Sequence, residues 1–451
     1  MQKNDVLTLN VEGFGAQAEG VCRHEGRVIF VPGALPGEKI TALIVKTLKS
    51  HAFGKLQEVL LPSPERIEPP CPYYARCGGC SCQHMSYKAE LDFKRGYIQD
   101  AMNRIGGLDI QVPPVSGMAD PWHYRNKTSL PVASQGGVPV SGFYMRRSHQ
   151  IIPTQACLIS KPQSDTAGAV VTQWMREYDI AAYDEITHTG LVRHIMTRVS
   201  GQGEVMVVLV INGQELIHSQ ALTGMLQAGL PALASLCISP NTQRGNTIMG
   251  SVYRVLWGKE RLEDTLCGFR YELSPLSFFQ INTEQAERLY LQALTMADPK
   301  PNDLVFDLYC GAGTISTLFS RHCREVIGIE IVPQTVQDAR QNAQRNGIGN
   351  LRFLQGAAED LMPQLIAQGQ RPDIVVLDPP RKGADEAVLQ AICQAAPRAV
   401  VYVSCDPGTQ ARDAKFLCRS GYALSACSPH DMFCHTADVE NILLFERGEA
   451  N

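Results

Sequence analysis

The stretch Leu304-Val305-Phe306-Asp307-Leu308-Tyr309-Cys310-Gly311-Ala312-Gly313-Thr314 decides how the C-terminal half of this chain is read. Its first five residues are apolar except for Asp307, which suits a buried strand. Gly311 and Gly313 then allow a tight turn and a close approach of a ligand to the backbone, while the helix expected next points its N-terminal amides at the same place. Further along, Val326-Ile327-Gly328-Ile329-Glu330 reads as a second strand, ending in a carboxylate about 20 residues beyond Gly311, where a side chain can accept hydrogen bonds from ribose hydroxyls. The two features together point to an adenosine-containing cofactor. A dinucleotide fingerprint wants a third glycine at 316, and the chain has Ser316 instead.

More strands are expected over 351–355, 374–377, 399–404 and 441–445, with helical segments between most of them, so residues 270–451 read as a doubly wound, Rossmann-like α/β domain. Two of these strands deliver further chemistry to the rim where ligands bind in such sheets. One leads into Asp378-Pro379-Pro380-Arg381-Lys382-Gly383; the next delivers Ser404-Cys405-Asp406-Pro407-Gly408. A cysteine at that rim can present its sulfur to a substrate, the thiolate being the reactive form. A lone cysteine is more often packing, and it is the position and neighbours of Cys405 that single it out.

The length of 451 residues suggests roughly three domains. From residue 1 to 60, short alternating runs broken by glycine and proline read as a small β-barrel. Lys39, Lys46, Lys49, His51 and Lys55 gather there beside Phe53, a face that suits a nucleic-acid backbone as well as it suits solvent. Residues 61–70 contain four prolines and read as a linker. Residues 71–265 mix strands (205–211, 251–256) with helical patterns (87–105, 164–178), a central α+β domain. The 44% of hydrophobic residues supply several cores, and a formal charge of −4 means that an RNA partner would need a local basic face. No secretion signal opens the chain and no apolar run approaches the ~20 residues of a membrane helix. A cytoplasmic, reducing compartment is expected, with no membrane partner, and there clustered cysteines bind metal or do chemistry.

Such a cluster exists. Cys71, Cys77 and Cys80 lie close together, with Gly78 and Gly79 relieving the crowding of a tight loop, and Cys82 follows as a spare or packed thiol. Three thiolates need a fourth ligand, and their spacing alone leaves zinc and an iron-sulfur centre both open.

Four motifs, Asp307-Leu-Tyr-Cys-Gly-Ala-Gly313, Asp378-Pro-Pro-Arg-Lys-Gly383, Tyr402-Val-Ser-Cys405-Asp-Pro-Gly-Thr409 and Asp431-Met-Phe-Cys-His-Thr-Ala-Asp-Val-Glu440, occur in the order of the RNA uracil C5 methyltransferase family. The chain resembles that family along its whole length, and its N-terminal barrel resembles the OB-like TRAM domain. It is most similar to the ribosomal RNA members that carry an iron-sulfur cluster. The resemblance implies S-adenosyl-L-methionine as cofactor, contacted by Gln280, Tyr309, Gly311, Gly313, Thr314, Glu330 and Asp378. It implies Cys405 as the nucleophile that adds to carbon 6 of uracil, because carbon 5 is otherwise a poor nucleophile, and Glu440 as the base that removes the carbon 5 proton. It implies a [4Fe-4S] cluster on Cys71, Cys77, Cys80 and Cys157, shaping the RNA-binding surface and not turning over in redox chemistry.

The expected activity is therefore 5-methyluridine formation in 23S ribosomal RNA by a monomer, with transfer RNA as the alternative substrate. A non-catalytic iron-sulfur RNA-binding protein and a cytosine C5 methyltransferase are the competing classes. Three departures from the common family pattern, Asp406 for Asn, Cys434 for Pro and Asp438 for His, bear on the surroundings of Glu440. Without the resemblance, Phe278 and Phe279 would be core aromatics before a helix capped by Asn282 and Gln285. RNA contacts are expected from 122–127, 144–147 and 191–198, where aromatic or apolar residues interleave with cations.

Overall fold

The computed structural model describes residues 1–448. The chain opens with a closed five-stranded barrel: β1 (Val6–Phe14), β2 (Gly20–His24), β3 (Arg27–Val31), β4 (Lys39–Thr47) and β5 (His51–Leu61), in the order β1-β2-β3-β5-β4 with β4 returning to β1. Alternation drives it: Leu9, Val11, Cys22, Ile29, Val31, Ile40, Ala42 and Ile44 point inward and leave polar residues outside. The proline-rich segment after the barrel is pinned. Arg66 grips the buried Glu38 with Nη2 to Oε2 at 2.7 Å and also donates to the Gly33 carbonyl.

Helix α1 (Tyr87–Ala101), capped by the Ser86 hydroxyl on the Ala89 amide, widens into a π turn over Met102–Gly106 that ends at left-handed Gly107. A seven-stranded sheet follows: β6 (Lys127–Gln135), β7 (Val138–Tyr144), β8 (Ile151–Pro153), β9 (Val192–Val199), β10 (Val205–Ile211), β11 (Leu233–Pro240) and β12 (Arg254–Gly258). Its order is β12-β11-β10-β9-β6-β7-β8, with only β10 and β11 parallel. Helices α2 (Pro162–Glu177) and α3 (Ser219–Gly229) cover one face around Trp174. The expectation that 191–198 meets RNA is corrected here: β9 is buried at every position, with Arg193, His194 and Arg198 inside.

After the hairpin β13 (Leu262–Leu266) and β14 (Phe269–Leu273) comes helix α4 (Thr283–Ala297), then a strand–helix alternation. Its members are β15 (Leu304–Leu308), α5 (Thr314–Ser320), β16 (Glu325–Glu330), α6 (Pro333–Arg345), β17 (Leu351–Gln355), α7 (Ala358–Ala367), β18 (Ile374–Leu377), α8 (Glu386–Ala395), β19 (Ala399–Ser404) and α9 (Pro407–Arg419). Two antiparallel strands, β20 (Tyr422–His430) and β21 (Glu440–Arg447), complete a sheet of order β17-β16-β15-β18-β19-β21-β20. This is the doubly wound α/β architecture expected, with β15, β18 and β19 buried at all positions because helices cover both faces.

Strand β20 was not anticipated. Tyr422-Ala-Leu-Ser-Ala-Cys-Ser-Pro-His is half exposed and carries Pro429, both tolerated only at a sheet edge, which is where it lies. One apolar layer of this sheet also takes in Ile98, Ala101 and Met102 from α1 and its π turn, beside Phe306, Leu308 and Tyr402. Among the described residues no helix is long and apolar enough to cross a membrane.

Candidate active site

The turn after β15 takes three left-handed residues in five: Tyr309 at φ 62°, Gly311 at 53° and Gly313 at 75°. At Gly313 a Cβ would lie 2.7 Å from the Phe353 ring, so only bare backbone fits. The Gly311 amide donates to Glu330 Oε2 at 3.1 Å and the Val332 amide to Oε1 at 2.8 Å, which holds the Glu330 carboxylate beside the turn at the end of β16. Asp307 is buried; its Oδ2 accepts from the Ser316 hydroxyl, its Oδ1 has no partner, and burial pushes its pKa up to about 7. Ser316, the residue that replaces a third glycine, is thus the partner of that carboxyl.

Asp378, half-buried, follows the end of the neighbouring β18, and burial raises its carboxyl above the usual range. Gln280 is placed from the central sheet: the Asn126 side-chain amide, just ahead of β6, donates to its carbonyl at 2.8 Å and to Thr283 Oγ1 at 3.1 Å. Asn282 Oδ1 caps α4 by accepting from the Gln285 amide, whereas the Gln285 side chain is buried without partners and makes no reciprocal bond. Phe279 is core, but Phe278 is 63% exposed, which corrects the reading of both as core aromatics. Their neighbour Ser277 is held from behind by buried Arg198, and the chain turns Phe278 outward.

Sequence reasoning missed Tyr290. Its buried hydroxyl lies 3.5 Å from Thr314 Oγ1, and Asp378, Thr314, Gln280 and Glu440 all act on its acidity, so one phenol sits where the expected cofactor residues and Glu440 converge. Nothing in the α4 sequence distinguishes it from a core aromatic.

Strands β19 and β21 pair Val403 with Ile442 and Ser404 with Asn441; the next positions along that register are Cys405 and Glu440. Buried Gln410 ties the two strands, its Nε2 donating to the carbonyls of Tyr402 (2.9 Å) and Asn441 (3.0 Å). Burial, then the charges of Glu440 and Asp378, push the Cys405 thiol up to about 12, and Arg381 opposes them. Burial, Asp378 and Asp438 hold Glu440 well above the usual carboxylate range, again against Arg381. Arg381 in turn pairs with Asp438 at 3.0 Å, so this departure from the family pattern is balanced by a charge within the site. Asp406 accepts from the Thr409 amide at 2.9 Å and caps α9, a task that Asn would perform equally. Cys434 is buried against the Tyr87 hydroxyl, away from solvent.

The segment leading to Glu440 is anchored by α1. Lys94, fully buried, donates to Glu90 at 2.7 Å and Asp431 at 2.5 Å, and the Tyr87 hydroxyl donates to the other Asp431 oxygen at 2.7 Å.

Cys71, Cys77, Cys80 and Cys157 line one cavity of about 260 Å³, together with Arg125, Lys127, Thr128, Ser129 and Ser160. The hydroxyls of Thr128, Ser129 and Ser160 are buried without partners. Burial is the main force raising the thiols of Cys71, Cys77 and Cys80, and their mutual proximity and that of Cys157 add to it; Cys80 is pushed up to about 12. Arg146 caps the loop through the carbonyls of Cys77 (3.1 Å) and Cys80. Among the described residues no three His, Cys, Asp or Glu side chains stand close enough to hold a single metal ion. Thiols around a cluster stand further apart than thiols around one ion, since the cluster's own atoms lie between them. Cys82 is buried outside this set.

Of the expected RNA contacts, Trp122 is stacked on His435 and Arg146 is committed to the cysteine loop. Arg147 stays on the surface over Phe53 of the barrel, 5.7 Å from the ring centroid. A cleft of about 950 Å³ runs beside the contact of the barrel with α1 and reaches Gly408, three residues past Cys405; its charged lining is acidic on balance, Glu12, Glu65, Asp92 and Asp100 against Arg23 and Arg104.

Residues 254–448 match the family described as tRNA (Uracil-5-)-methyltransferase, and residues 2–56 match the TRAM domain. A Clostridium tetani protein described as an uncharacterized RNA methyltransferase is 42% identical over 445 residues, 98% of this chain and 97% of its own. A Halalkalibacterium halodurans protein of the same description is 42% identical over 448 residues, 99% and 98% of the two chains. The crystal structure of Pyrococcus abyssi tRNA (uracil-54, C5)-methyltransferase in complex with S-adenosyl-L-homocysteine is similar with a TM-score of 0.79 at 25% identity, covering 97% of this chain and 99% of that one.

Proposed function

The chain belongs to the RNA uracil C5 methyltransferase family and carries a TRAM domain, and from that membership we propose that it forms 5-methyluridine in 23S ribosomal RNA, as a cytoplasmic monomer, through a covalent Cys405 adduct. The observation that carries the reading is the meeting of Cys405 and Glu440 at the paired ends of β19 and β21, with Asp378 and the glycine turn on the adjoining strand ends. A non-catalytic binder has no use for that nucleophile–base pair.

The residues around the turn fit S-adenosyl-L-methionine: open space at Gly311, where a Cβ would meet nothing within 4 Å, the unpartnered Asp307 Oδ1, and Glu330 held where ribose hydroxyls would reach it. Gln280, Tyr309, Gly311, Gly313, Thr314, Glu330 and Asp378 would hold it, and when bound it supplies an electrophilic methyl group for carbon 5.

The protein's own part is to activate the ring and then take a proton. Cys405 must lose its proton before sulfur adds to carbon 6, and Arg381 is the charge that favours the thiolate against burial and two carboxylates. Addition leaves an enolate whose carbon 5 is nucleophilic. Glu440, whose raised pKa makes it an effective base once ionised, then removes the carbon 5 proton; the electron pair re-forms the double bond as the carbon–sulfur bond breaks and Cys405 leaves. The target base must leave its stack to reach Cys405.

The cysteine cavity fits a [4Fe-4S] cluster: four thiols face one space, and three unpartnered hydroxyls line it as donors for cluster sulfides. Cys71, Cys77, Cys80 and Cys157 would hold the cluster, which would cross-link two distant parts of the chain. Transfer RNA is kept as a second substrate because the solved P. abyssi relative is named for acting on it.

The test is incubation of the protein and radiolabelled cofactor with unmodified ribosomal RNA and transfer RNA, followed by mapping of the labelled nucleotides. Label on carbon 5 of uridine in 23S RNA, lost in Cys405→Ala, is expected. Label on cytosine, or no label with a folded protein, would remove the reading.

A further inference from the structure

The loop that carries the cysteines also holds the segment that carries Glu440. The backbone amides of Ser81 and Cys82 both donate to the carbonyl of His435, at 2.9 and 3.1 Å. The amide of His435 donates to Glu90 Oε1 at 2.7 Å, on the α1 carboxylate that also receives Lys94. The imidazole stacks on Trp122 with ring centroids 3.7 Å apart and planes 20° from parallel. The residue before it is fixed as well, since the Tyr124 hydroxyl donates to the Cys434 carbonyl at 3.0 Å. Three separate parts of the chain, the cysteine loop, α1 and the segment of Trp122 and Tyr124, therefore converge on two consecutive residues, and His435 takes a left-handed conformation (φ 65°) to receive them. Five residues later the chain enters β21 at Glu440, and the intervening turn is tightened by Thr436 Oγ1, which donates to the Phe433 carbonyl and accepts from the Asp438 amide. The connection between edge strand β20 and its inner neighbour β21 is therefore largely buried and held at several points.

We propose that His435 is a positioning residue for deprotonation of carbon 5: gripped by the cysteine loop and Trp122, it fixes where β21 begins and hence where the Glu440 carboxylate meets the substrate. The proposal rests on the reading of Glu440 as the base. It differs from the expectation that the cysteine region serves to shape the RNA-binding surface, because it assigns the loop to a late chemical step. It needs only the loop's amides, whatever the thiols hold. If Glu440 is displaced, Cys405 can still add to carbon 6 and the methyl group can still be gained, but the carbon 5 proton stays in place, the double bond cannot re-form, and sulfur remains bonded to carbon 6. The signature of a misplaced base is thus a protein–RNA adduct that accumulates on ordinary uridine.

The experiment uses the full chain with S-adenosyl-L-methionine and unmodified ribosomal and transfer RNA, scored for covalent complex on denaturing gels, for RNA affinity by filter binding, and for fold by melting. His435→Asn removes the stacked ring while keeping a residue that tolerates the left-handed backbone; Trp122→Leu, at a half-buried position, removes the other half of the stack and keeps the test alive if the first variant does not fold. Turnover is expected to fall about tenfold in each, RNA affinity to stay within about twofold, and the adduct to build up as it does in the Glu440→Gln control. Weakened RNA binding without adduct would overturn the proposal. So would wild-type turnover in both variants while Glu440→Gln traps RNA. A Glu440→Gln protein that traps nothing would take down the assignment of the base itself, and this inference with it.

Discussion

Gln410 and Asn441 exchange side-chain hydrogen bonds across the end of the catalytic sheet: Asn441 Nδ2 donates to Gln410 Oε1 at 2.8 Å while Gln410 Nε2 donates to the Asn441 carbonyl at 3.0 Å. Both residues are fully buried, so removing either amide strands polar groups away from water. Gln410→Ala is expected to cost about 2–4 kcal/mol of stability. Because the lost bonds lie between the strands that end in Cys405 and Glu440, turnover should fall by more than stability alone explains at a temperature where the variant is still folded. Denaturant titration and single-turnover assays measure the two effects separately.

The acidities of Cys405 and Glu440 set the direction of the pH response. Both groups are raised, and the proposed mechanism uses both in their ionised forms, so methyl transfer should increase as pH rises from about 6 to about 9. Arg381 opposes both shifts, and Arg381→Met should displace the rate profile toward higher pH while lowering the rate at neutrality. A profile that moved toward lower pH in the variant would contradict this placement of charge.

Asp307 gives a second pH effect, on stability. Its carboxyl titrates near 7 in the folded protein and near its ordinary value of about 4 when unfolded, so between those values the folded state binds more protons and stability declines as pH rises. Asp307→Asn should flatten that decline, a change on the order of 4 kcal/mol at most, seen as a weaker dependence of Tm on pH.

Gly313→Ala tests the glycine turn. The added methyl group would meet the Phe353 ring, and the residue would keep a positive φ, so the turn must shift. Cofactor affinity should fall at least tenfold with little change in RNA affinity; equilibrium dialysis against labelled S-adenosyl-L-methionine and filter binding of RNA report the two.

For the cysteine cavity, anaerobic reconstitution with iron and sulfide should yield four of each per chain and a broad visible absorption, both lost in Cys77→Ser and in Cys157→Ser. Binding of a single zinc ion in place of iron would favour the rival reading of these thiols. If Cys77→Ser left folding and RNA affinity intact, a structural role for the cavity in RNA binding would fall, leaving the loop's amides as its connection to the catalytic step.

Much of this was legible in the sequence because the information is local. Six of the seven strands of the catalytic sheet, all but β20, could be bounded to within a residue or two since they are short apolar runs, and Asp307, Asp378 and Cys405 each follow from standing at or near the end of such a run. What escaped depends on contacts between distant residues. Tyr290 looks like any core aromatic until four other elements surround its hydroxyl. The alternation of basic and apolar residues in 191–198 resembles a solvent-facing strand, but α2 and α3 cover one side of β9, and Leu262 with the segment of Met249 and Tyr253 packs on the cluster that holds Met196. Trp122 and Arg146 carry the chemistry of RNA ligands and are instead consumed by His435 and the cysteine loop.

The apolar residues that α1 places in the same layer as Phe306 and Tyr402 have a practical meaning for anyone seeking a minimal methylating unit. Along the chain, the helix lies more than 150 residues before the hairpin that opens the catalytic half, yet in space it roofs that half. Excision at the apparent boundary would uncover an oily face and remove Lys94 from Asp431 in one cut. The three modules therefore cannot be traded like beads: a chimera with another barrel must replace the packing of Ala18 and Leu35 on Phe93 and Ala437, and one with another middle section must bring its own matching roof.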